Sequence, residues 1–219
     1  YLRYQIDLDR SVPVPPDAIK LVKTDKKHPQ VAELSELIKL IEFPERAEKN
    51  KLVGLRNRTM LEVLLSTGMR ISELVSLNKN QLDETGRLFI RGKGRKERFV
   101  YLTERAKFWI NQYLSKRSDL ATAMFIPYRG NNAGKNIKRI STNYLQMKIK
   151  EYREKLRMNV PTSAHSLRHG FATYLAESGA NPAAIQVLLG HESLDTTTRY
   201  VRASDKFAEE THRKFHPVK

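Results

Sequence analysis

The chain has 219 residues, 40% of them hydrophobic, which is enough for one large domain with its own core. Its 40 lysines and arginines exceed 24 acidic residues, and the net charge of +16 indicates a polyanionic partner, nucleic acid before acidic membrane, although a structural basic protein such as a ribosomal component would share it. The absence of cysteine excludes disulfides and thiolate chemistry, and no apolar run is long enough to span a membrane.

The N-terminal stretch and the first helix have different patterns. Residues 1–30 hold three prolines between positions 13 and 16, followed by scattered lysines, which predicts an extended linker. From Val31 onward, the segment VAELSELIKLIEF is helical in pattern. Its apolar residues recur three and four positions apart and predict one buried face, formed by Leu34, Leu37, Ile38 and Ile41.

Two further helices and a hairpin follow. LRNRTMLEVLLSTG predicts a second helix that ends at Gly68, and MRISELVSL predicts a short third helix. The pattern then changes in GRLFIRGKGRKERFVYL, where residues 87–91 and 97–102 have the composition of strands. Residues 92–95, which alternate glycine with basic side chains, predict the hairpin turn between the strands.

The C-terminal half is predicted to be helical. Helices are expected over 104–117, 138–156, 163–178 and 182–189, then a short one in SLDTTTRYV and a polar one over 204–214. Asn181 and Pro182 suit the start of the helix over 182–189, and Gly190 suits its end. The predicted fold class is therefore mainly α with a small antiparallel β-sheet, an α+β fold.

Several basic residues suit contact with a phosphate. Arg70 and Glu73 are three apart, so Glu73 would orient the Arg70 guanidinium, although an ordinary helix ion pair has the same spacing. In the hairpin, Lys93 lies between two glycines that would let it approach a ligand closely. The other basic hairpin residues either contact DNA or form a solvated strand edge. The predicted DNA-binding residues are Arg91, Arg95, Lys96, Arg98, Lys138 and Arg139.

Histidine, arginine and tyrosine recur in two C-terminal segments. In TSAHSLRHGFATYLAESG, His165 and Arg168 are three apart and border the apolar stripe of a helix, where they are either paired donors or ordinary surface residues. In LLGHESLDTTTRYV, His191 follows the predicted helix end at Gly190, where it would also suit the helix dipole. Tyr200 lies nine residues later, either as a nucleophile or as an amphipathic side chain with a buried ring.

The order of these candidates makes the chain resemble the catalytic domain of the tyrosine recombinases, the family of phage integrases and Xer-type recombinases. The matching segments are STGMRISELVSL, RGKGRKERFVYL, HSLRHGFATYLAESG and IQVLLGHESLDTTTRYV, between about residues 31 and 205. The resemblance implies that residues 31–219 form the catalytic domain with a tail helix at about 204–214. It also implies that residues 1–30 are the linker from an N-terminal DNA-binding domain that this chain lacks.

The resemblance implies cleavage of a phosphodiester by the hydroxyl of a tyrosine. The residues it assigns to catalysis are Arg70, Lys93, His165, Arg168, His191 and Tyr200, with Glu73 orienting Arg70. A tyrosine hydroxyl has a pKa near 10 and is a weak nucleophile, so positioned cations should dominate catalysis. Arg70 and Arg168 would clamp the phosphate, with His191 as a third donor. His165 and Lys93 would divide the proton transfers, and the sequence leaves their division open. No ATP, cofactor or metal ion is expected.

The implied partners are double-stranded DNA with a specific target site and further copies of the chain. The family exchanges strands through a Holliday junction as a tetramer on paired sites, and the tail helix over 204–214 would dock on a neighbour. The tail is polar with few anchors, so a frayed terminal helix is the other interpretation. The expected location is the cytoplasm, at the nucleoid. A type IB topoisomerase-like enzyme and a catalytically silent DNA-binding protein on the same fold are the alternative functions.

Overall fold

The computed structural model describes residues 32–92, 97–128, 139–190 and 201–218, with the backbone alone for residue 182 and residues 201–207. Within these ranges the chain is mainly helical and has a two-stranded antiparallel sheet, which confirms the predicted fold class. No helix in the described ranges is long and apolar enough to cross a membrane. The predicted linker over 1–30 lies outside the described residues.

In the part of the chain that the structure describes, four α-helices precede the hairpin. They are α1 (Leu34–Glu42), α2 (Pro44–Ala47), α3 (Lys51–Thr67) and α4 (Ile71–Ser76). The side chain of Asn50 caps α3 by accepting hydrogen bonds from the backbone N–H groups of Leu52 and Val53. Gly68 ends α3 with φ at 61°, the left-handed conformation that the sequence predicted for this glycine.

The central helix α3 is buried on nearly all sides, since every residue from Met60 to Thr67 is buried. It packs against the helices before and after it and so organises the main hydrophobic core. On α1, Leu37 and Ile41 are buried as predicted, and Leu40, which the predicted face omitted, is buried with them. Leu34 and Ile38 lie at the border of the core.

The predicted hairpin consists of β1 (Arg87–Arg91) and β2 (Glu97–Tyr101). The strands pair antiparallel, with Leu88 opposite Val100 and Ile90 opposite Arg98. The buried side chains of β1, Leu88 and Ile90, alternate with exposed ones, as a sheet that covers a core requires. Residues 93–96 of the predicted turn lie outside the described residues.

Among the described residues, five further α-helices follow the hairpin. They are α5 (Glu104–Ser115), α6 (Thr142–Lys155), α7 (Ala164–Glu177), α8 (Pro182–Leu189) and α9 (Val201–Phe215). Helix α6 begins later than predicted because the Ser141 side chain caps it by accepting from the backbone N–H of Tyr144. Helix α8 has the predicted Asn181 cap and ends at Gly190, whose φ is 63°. The short helix predicted in SLDTTTRYV falls on undescribed residues except for Val201, where α9 begins.

The tail of the chain packs against its own domain. Ala208, Thr211, His212 and His216 are buried in a second, smaller apolar cluster around Phe171 of α7. The sequence offered frayed and trans-docked tails, and it indicated few anchors. The anchors that the structure describes are mainly histidine and threonine, so the polar composition of α9 concealed its buried face.

Two tail histidines donate hydrogen bonds to carbonyls at the end of α3 that have no partner within the helix. His212 Nε2–H donates to the carbonyl oxygen of Ser66 at 2.6 Å, and His216 Nε2–H donates to that of Leu65 at 3.1 Å. The last four carbonyls of a helix have no partner within the helix, so these bonds complete the end of α3. Nδ1 of His216 in turn lies 2.8 Å from the carbonyl oxygen and 3.1 Å from the backbone nitrogen of Val218.

The stability of the docked tail should therefore depend on pH. Burial lowers the pKa of His212 to about 3 and also lowers the pKa of His216. The unfolded chain then binds protons at a pH where the folded chain does not, so the contribution of these rings is complete above about pH 6.5 and is lost as the pH falls toward 3.

We predict that His212→Gln, which can still donate to the Ser66 carbonyl but does not titrate, weakens this dependence. Between pH 7 and pH 4, the free energy of unfolding of the wild type should fall by roughly 2 to 3 kcal/mol more than that of the variant. Urea titrations at each pH measure the difference. Parallel curves for the two proteins would contradict the burial of a neutral His212.

Candidate active site

Arg70 is held at the start of α4 by Glu73. The Glu73 carboxylate accepts the backbone N–H of Arg70 at 2.7 Å and its side-chain Nη1–H at 3.1 Å. The same carboxylate therefore completes the helix N-terminus and orients the guanidinium. The Arg70 side chain remains 36% exposed, whereas that of Glu73 is 4% exposed. This is the arrangement that their three-residue spacing predicted.

Arg98 binds Glu73 from the other side. Its Nη1 and Nη2 donate to the two carboxylate oxygens, each at 2.9 Å. Burial alone would raise the pKa of Glu73, but the hydrogen bonds and charges of Arg98 and Arg70 outweigh it and lower that pKa below its usual value. Glu73 is therefore a buried, ionised carboxylate between two arginines.

Arg168 joins the ends of two helices inside the domain. Its Nη1 donates to the carbonyl oxygen of Gly68 after α3 at 2.8 Å, and its Nη2 donates to that of Leu189 in α8 at 2.7 Å. Burial, followed by repulsion from Arg70 and Arg98, lowers the pKa of Arg168 to about 10, so the side chain is still a cation at neutral pH. The residue is 7% exposed.

The C-terminal end of α8 brings the arginines together. Arg98 Nε donates to the carbonyl of Leu188 at 3.1 Å, Arg168 to that of Leu189, and Arg70 Nη2 to that of Gly190 at 3.3 Å. A helix C-terminus exposes unpaired carbonyls and carries partial negative charge, so it binds cations well. Arg70 and Arg168 are therefore neighbours around one helix end, although α4 and α7 are far apart in sequence.

His165 lies one turn before Arg168 on α7, on its exposed side. Its ring contacts that of His169 edge to face, with centroids 5.0 Å apart. Partial burial and the charges of His169 and Arg168 lower the pKa of His165. The ring is therefore neutral at neutral pH and has a nitrogen available to accept a proton.

A cavity of about 390 Å³ opens beside Arg70. The described residues that line it include Ser72, Ser76 and Arg91 together with Arg70 and Glu73. Arg91 is 63% exposed, and the ion pair that it forms among the described residues, with Glu97, is long at 3.6 Å. Two partly exposed arginines thus border an open space, an arrangement that suits an anionic group. Within the described ranges, no group of three or more side chains could hold a metal ion.

The remaining predicted site residues divide into two sets. Arg139 donates to the carbonyls of Ser76 and Leu77 and to the Asn78 side chain, so its guanidinium closes the end of α4. Several predicted residues lie outside the described part of the chain, and their roles stay predictions: Lys93, Arg95, Lys96, Lys138, His191 and Tyr200. His191 nevertheless follows Gly190 directly in the sequence, at the helix end that the three arginines bind.

Comparison with known proteins identifies a family and several relatives. The Phage integrase family matches residues 31–206. The chain belongs to the phage integrase family. Its relatives in this family include tyrosine recombinase XerD of Staphylococcus epidermidis, which is 34% identical over 206 residues, covering 91% of this chain and 66% of the relative. Tyrosine recombinase XerC of Chlamydia pneumoniae is 39% identical over 174 residues, covering 77% and 54%.

The fold is also shared with solved recombinases of the phage integrase family. The XerH site-specific recombinase, in a post-cleavage complex with palindromic difH substrate, superimposes with a TM-score of 0.66 and 26% identity, covering 87% of this chain and 54% of that one. The chain thus spans about half to two thirds of the length of such relatives.

The sequence interpretation missed the internal position of Arg98, which was predicted to bind DNA. One signal was present, because Arg98 and the apolar Val100 are two residues apart and share the face of β2 that covers the core. An arginine at that position must find acceptors inside the domain. The acceptors themselves, Glu73 and a carbonyl of α8, come from distant parts of the chain.

We predict that Glu73→Gln lowers the free energy of unfolding by about 3 kcal/mol, because it leaves two guanidinium groups without a counter-charge in a largely buried site. The matched control is Glu97→Gln, which removes the exposed partner of Arg91 and should cost less than about 1 kcal/mol. Urea unfolding at neutral pH measures both. Equal losses for the two variants would mean that Glu73 is not the counter-charge of this site.

Proposed function

We propose that this chain carries the catalytic domain of a site-specific DNA recombinase that cleaves and rejoins DNA through a 3′-phosphotyrosine intermediate. The observation that supports it most directly is the convergence of Arg70 and Arg168 on adjacent carbonyls at the end of α8. The guanidinium groups of Arg70, Arg98 and Arg168 lie around a single carboxylate, that of Glu73. The net local charge is therefore positive and favours a DNA phosphate. The names of the relatives and the difH complex of XerH agree with DNA as substrate.

In the proposed cleavage, the hydroxyl oxygen of Tyr200 forms a bond to the scissile phosphorus while the bond to the 5′ oxygen breaks. The tyrosine proton passes to a base, and the departing 5′ oxygen accepts a proton from an acid. One phosphodiester is exchanged for another, so the linkage energy is kept and no ATP is needed. Reversal with a different 5′ hydroxyl rejoins the strand to a new partner.

The described residues suit separate parts of this step. Arg70, exposed beside the cavity and held by Glu73, donates to the non-bridging oxygens, whose negative charge grows in the transition state. Arg168 supplies a second positive charge from within the domain. The lowered pKa of His165 keeps its ring neutral, which suits acceptance of the tyrosine proton, and Lys93 then protonates the 5′ oxygen.

The assembly is proposed to be a tetramer on paired DNA sites, acting at the nucleoid. Arg91 is the described residue best placed to contact the DNA backbone, because it is exposed and weakly paired. In the tetramer, the tail that lies on its own domain in the single chain would dock on a neighbouring domain. Such an exchange leaves the contacts of the tail the same in kind, since the receiving surface is the same on every copy.

A covalent trap tests the reaction. The substrate is a duplex that the chain enriches from a random DNA pool, nicked next to the scissile phosphate so that the short 5′-hydroxyl strand diffuses away. We predict a protein–DNA adduct that resists denaturation in the wild type and is absent in Tyr200→Phe, which lacks the attacking oxygen. Tyr174→Phe is the matched control. It should retain the adduct, because the hydroxyl of Tyr174 donates to the Ala32 carbonyl and is not the proposed nucleophile. An adduct on Tyr200→Phe would show that another residue attacks.

The same trap tests whether metal ions take part. We predict that adduct formation proceeds at the same rate in EDTA, since arginines supply the positive charge that metal ions supply in two-metal nucleases. The comparison is the rate of adduct formation with EDTA against the rate with added Mg²⁺. A rate that collapses in EDTA and returns with Mg²⁺ would overturn the metal-free mechanism.

A further inference from the structure

Arg98 forms its hydrogen bonds with groups inside the domain, although it lies on a basic hairpin. It stands on β2 opposite the buried Ile90, and its side chain is 12% exposed. Three of its N–H groups donate to acceptors of the domain: two to the oxygens of Glu73, and the Nε–H to the Leu188 carbonyl. A two-point bond to a carboxylate fixes the plane of both groups, which an ammonium group cannot do.

Each acceptor of Arg98 belongs to a part of the domain that also binds Arg70. Glu73 accepts two hydrogen bonds from Arg70, one from its backbone and one from its guanidinium. Leu188 begins the short run of carbonyls that ends at Gly190, whose carbonyl accepts Arg70 Nη2–H. Arg98 therefore bonds, from the interior of the domain, to Glu73 and to the end of α8. These are the two groups that hold the partly exposed Arg70.

Gly190 leaves the space that Arg98 occupies. A Cβ at this position would lie 3.0 Å from the Cδ, Cζ and Nη1 atoms of Arg98, and φ at residue 190 is 63°. The glycine thus meets two requirements, a left-handed helix end and close contact with a guanidinium. This packing ties the end of α8 to the hairpin.

We infer that Arg98 is a positioning residue for DNA cleavage, which orients Arg70 through Glu73 and the end of α8 and does not itself bind DNA. The inference rests on the proposed function. It predicts that the guanidinium fork is required for the rate of cleavage and is not required for the affinity for DNA.

The first experiment measures single-turnover cleavage of the nicked duplex at saturating DNA, with the dissociation constant measured separately. Arg98→Lys keeps the charge beside Glu73 and loses the fork, so it should lower the rate constant about 10- to 100-fold at unchanged affinity. Arg117→Lys is the matched control, because Arg117 makes the same kind of two-point bond, to Asp119, and binds the backbone carbonyls of Ala123 and Met124 in place of those at the end of α8. Arg117→Lys should lose as much thermal stability as Arg98→Lys and should keep the wild-type rate constant of cleavage.

A second substrate separates positioning from general destabilisation. Replacing the scissile phosphate by a neutral methylphosphonate removes the charge that Arg70 meets. If Arg98 acts through Arg70, the loss of rate in Arg98→Lys should shrink on this substrate. Loss of affinity with an unchanged rate constant, or an equal loss of rate on both substrates, would overturn the inference.

A third measurement needs no activity. The Nε–H NMR signal of Arg70, assigned by its absence in Arg70→Lys, should move in Arg98→Lys and stay in place in Arg117→Lys. An unmoved signal in Arg98→Lys would overturn the inference even where cleavage is slow. If the wild type forms no adduct, the proposed function fails, and this signal still decides whether Arg98 orients Arg70.

Discussion

The carbonyl oxygens that two helices leave unpaired at their C-termini are the constraint on which this site depends. Helix α3 ends at Gly68 and α8 ends at Gly190, and Arg168 donates to a carbonyl at each end. Without a cation there, buried carbonyls at both ends would lack partners, which costs free energy in each case. The side chain of Arg168 therefore satisfies the fold and also supplies a positive charge on which the proposed reaction relies.

The side chains of the site form an inner and an outer layer. Arg168, Glu73 and Arg98 are largely withdrawn from solvent and bonded within the domain. Arg70 and His165 are more exposed. Glu73 holds Arg70 by an ion pair, and His165 lies on α7, the helix that carries Arg168. A phosphate needs donors that are already oriented, because reorganisation during the reaction would reduce their effect on the barrier. In the proposed reaction, the inner layer would provide that orientation and the outer layer would bind the substrate.

Local signals in the sequence were sufficient for most of the fold and for part of the site. The glycines at 68 and 190 and the caps at Asn181 and Pro182 are read from neighbours in sequence, and the spacing of Arg70 and Glu73 predicted their pairing. The role of Arg98 and the buried face of α9 depend on acceptors far along the chain, such as the Leu188 and Ser66 carbonyls. A backbone carbonyl has no sequence signature, so a basic residue that binds one is easily interpreted as a surface charge.

The tail and the active site share the end of α3. His216 and His212 bind the carbonyls of Leu65 and Ser66, and Arg168 binds that of Gly68, only two residues further on. Phe171 packs between these groups, since it contacts both histidine rings and fills the space beside Gly68. A tail that leaves this surface exposes two unpaired carbonyls next to the Arg168 contact. In the proposed tetramer, the tail of a neighbour must therefore bring equivalent donors, and the site becomes sensitive to whether that neighbour is present.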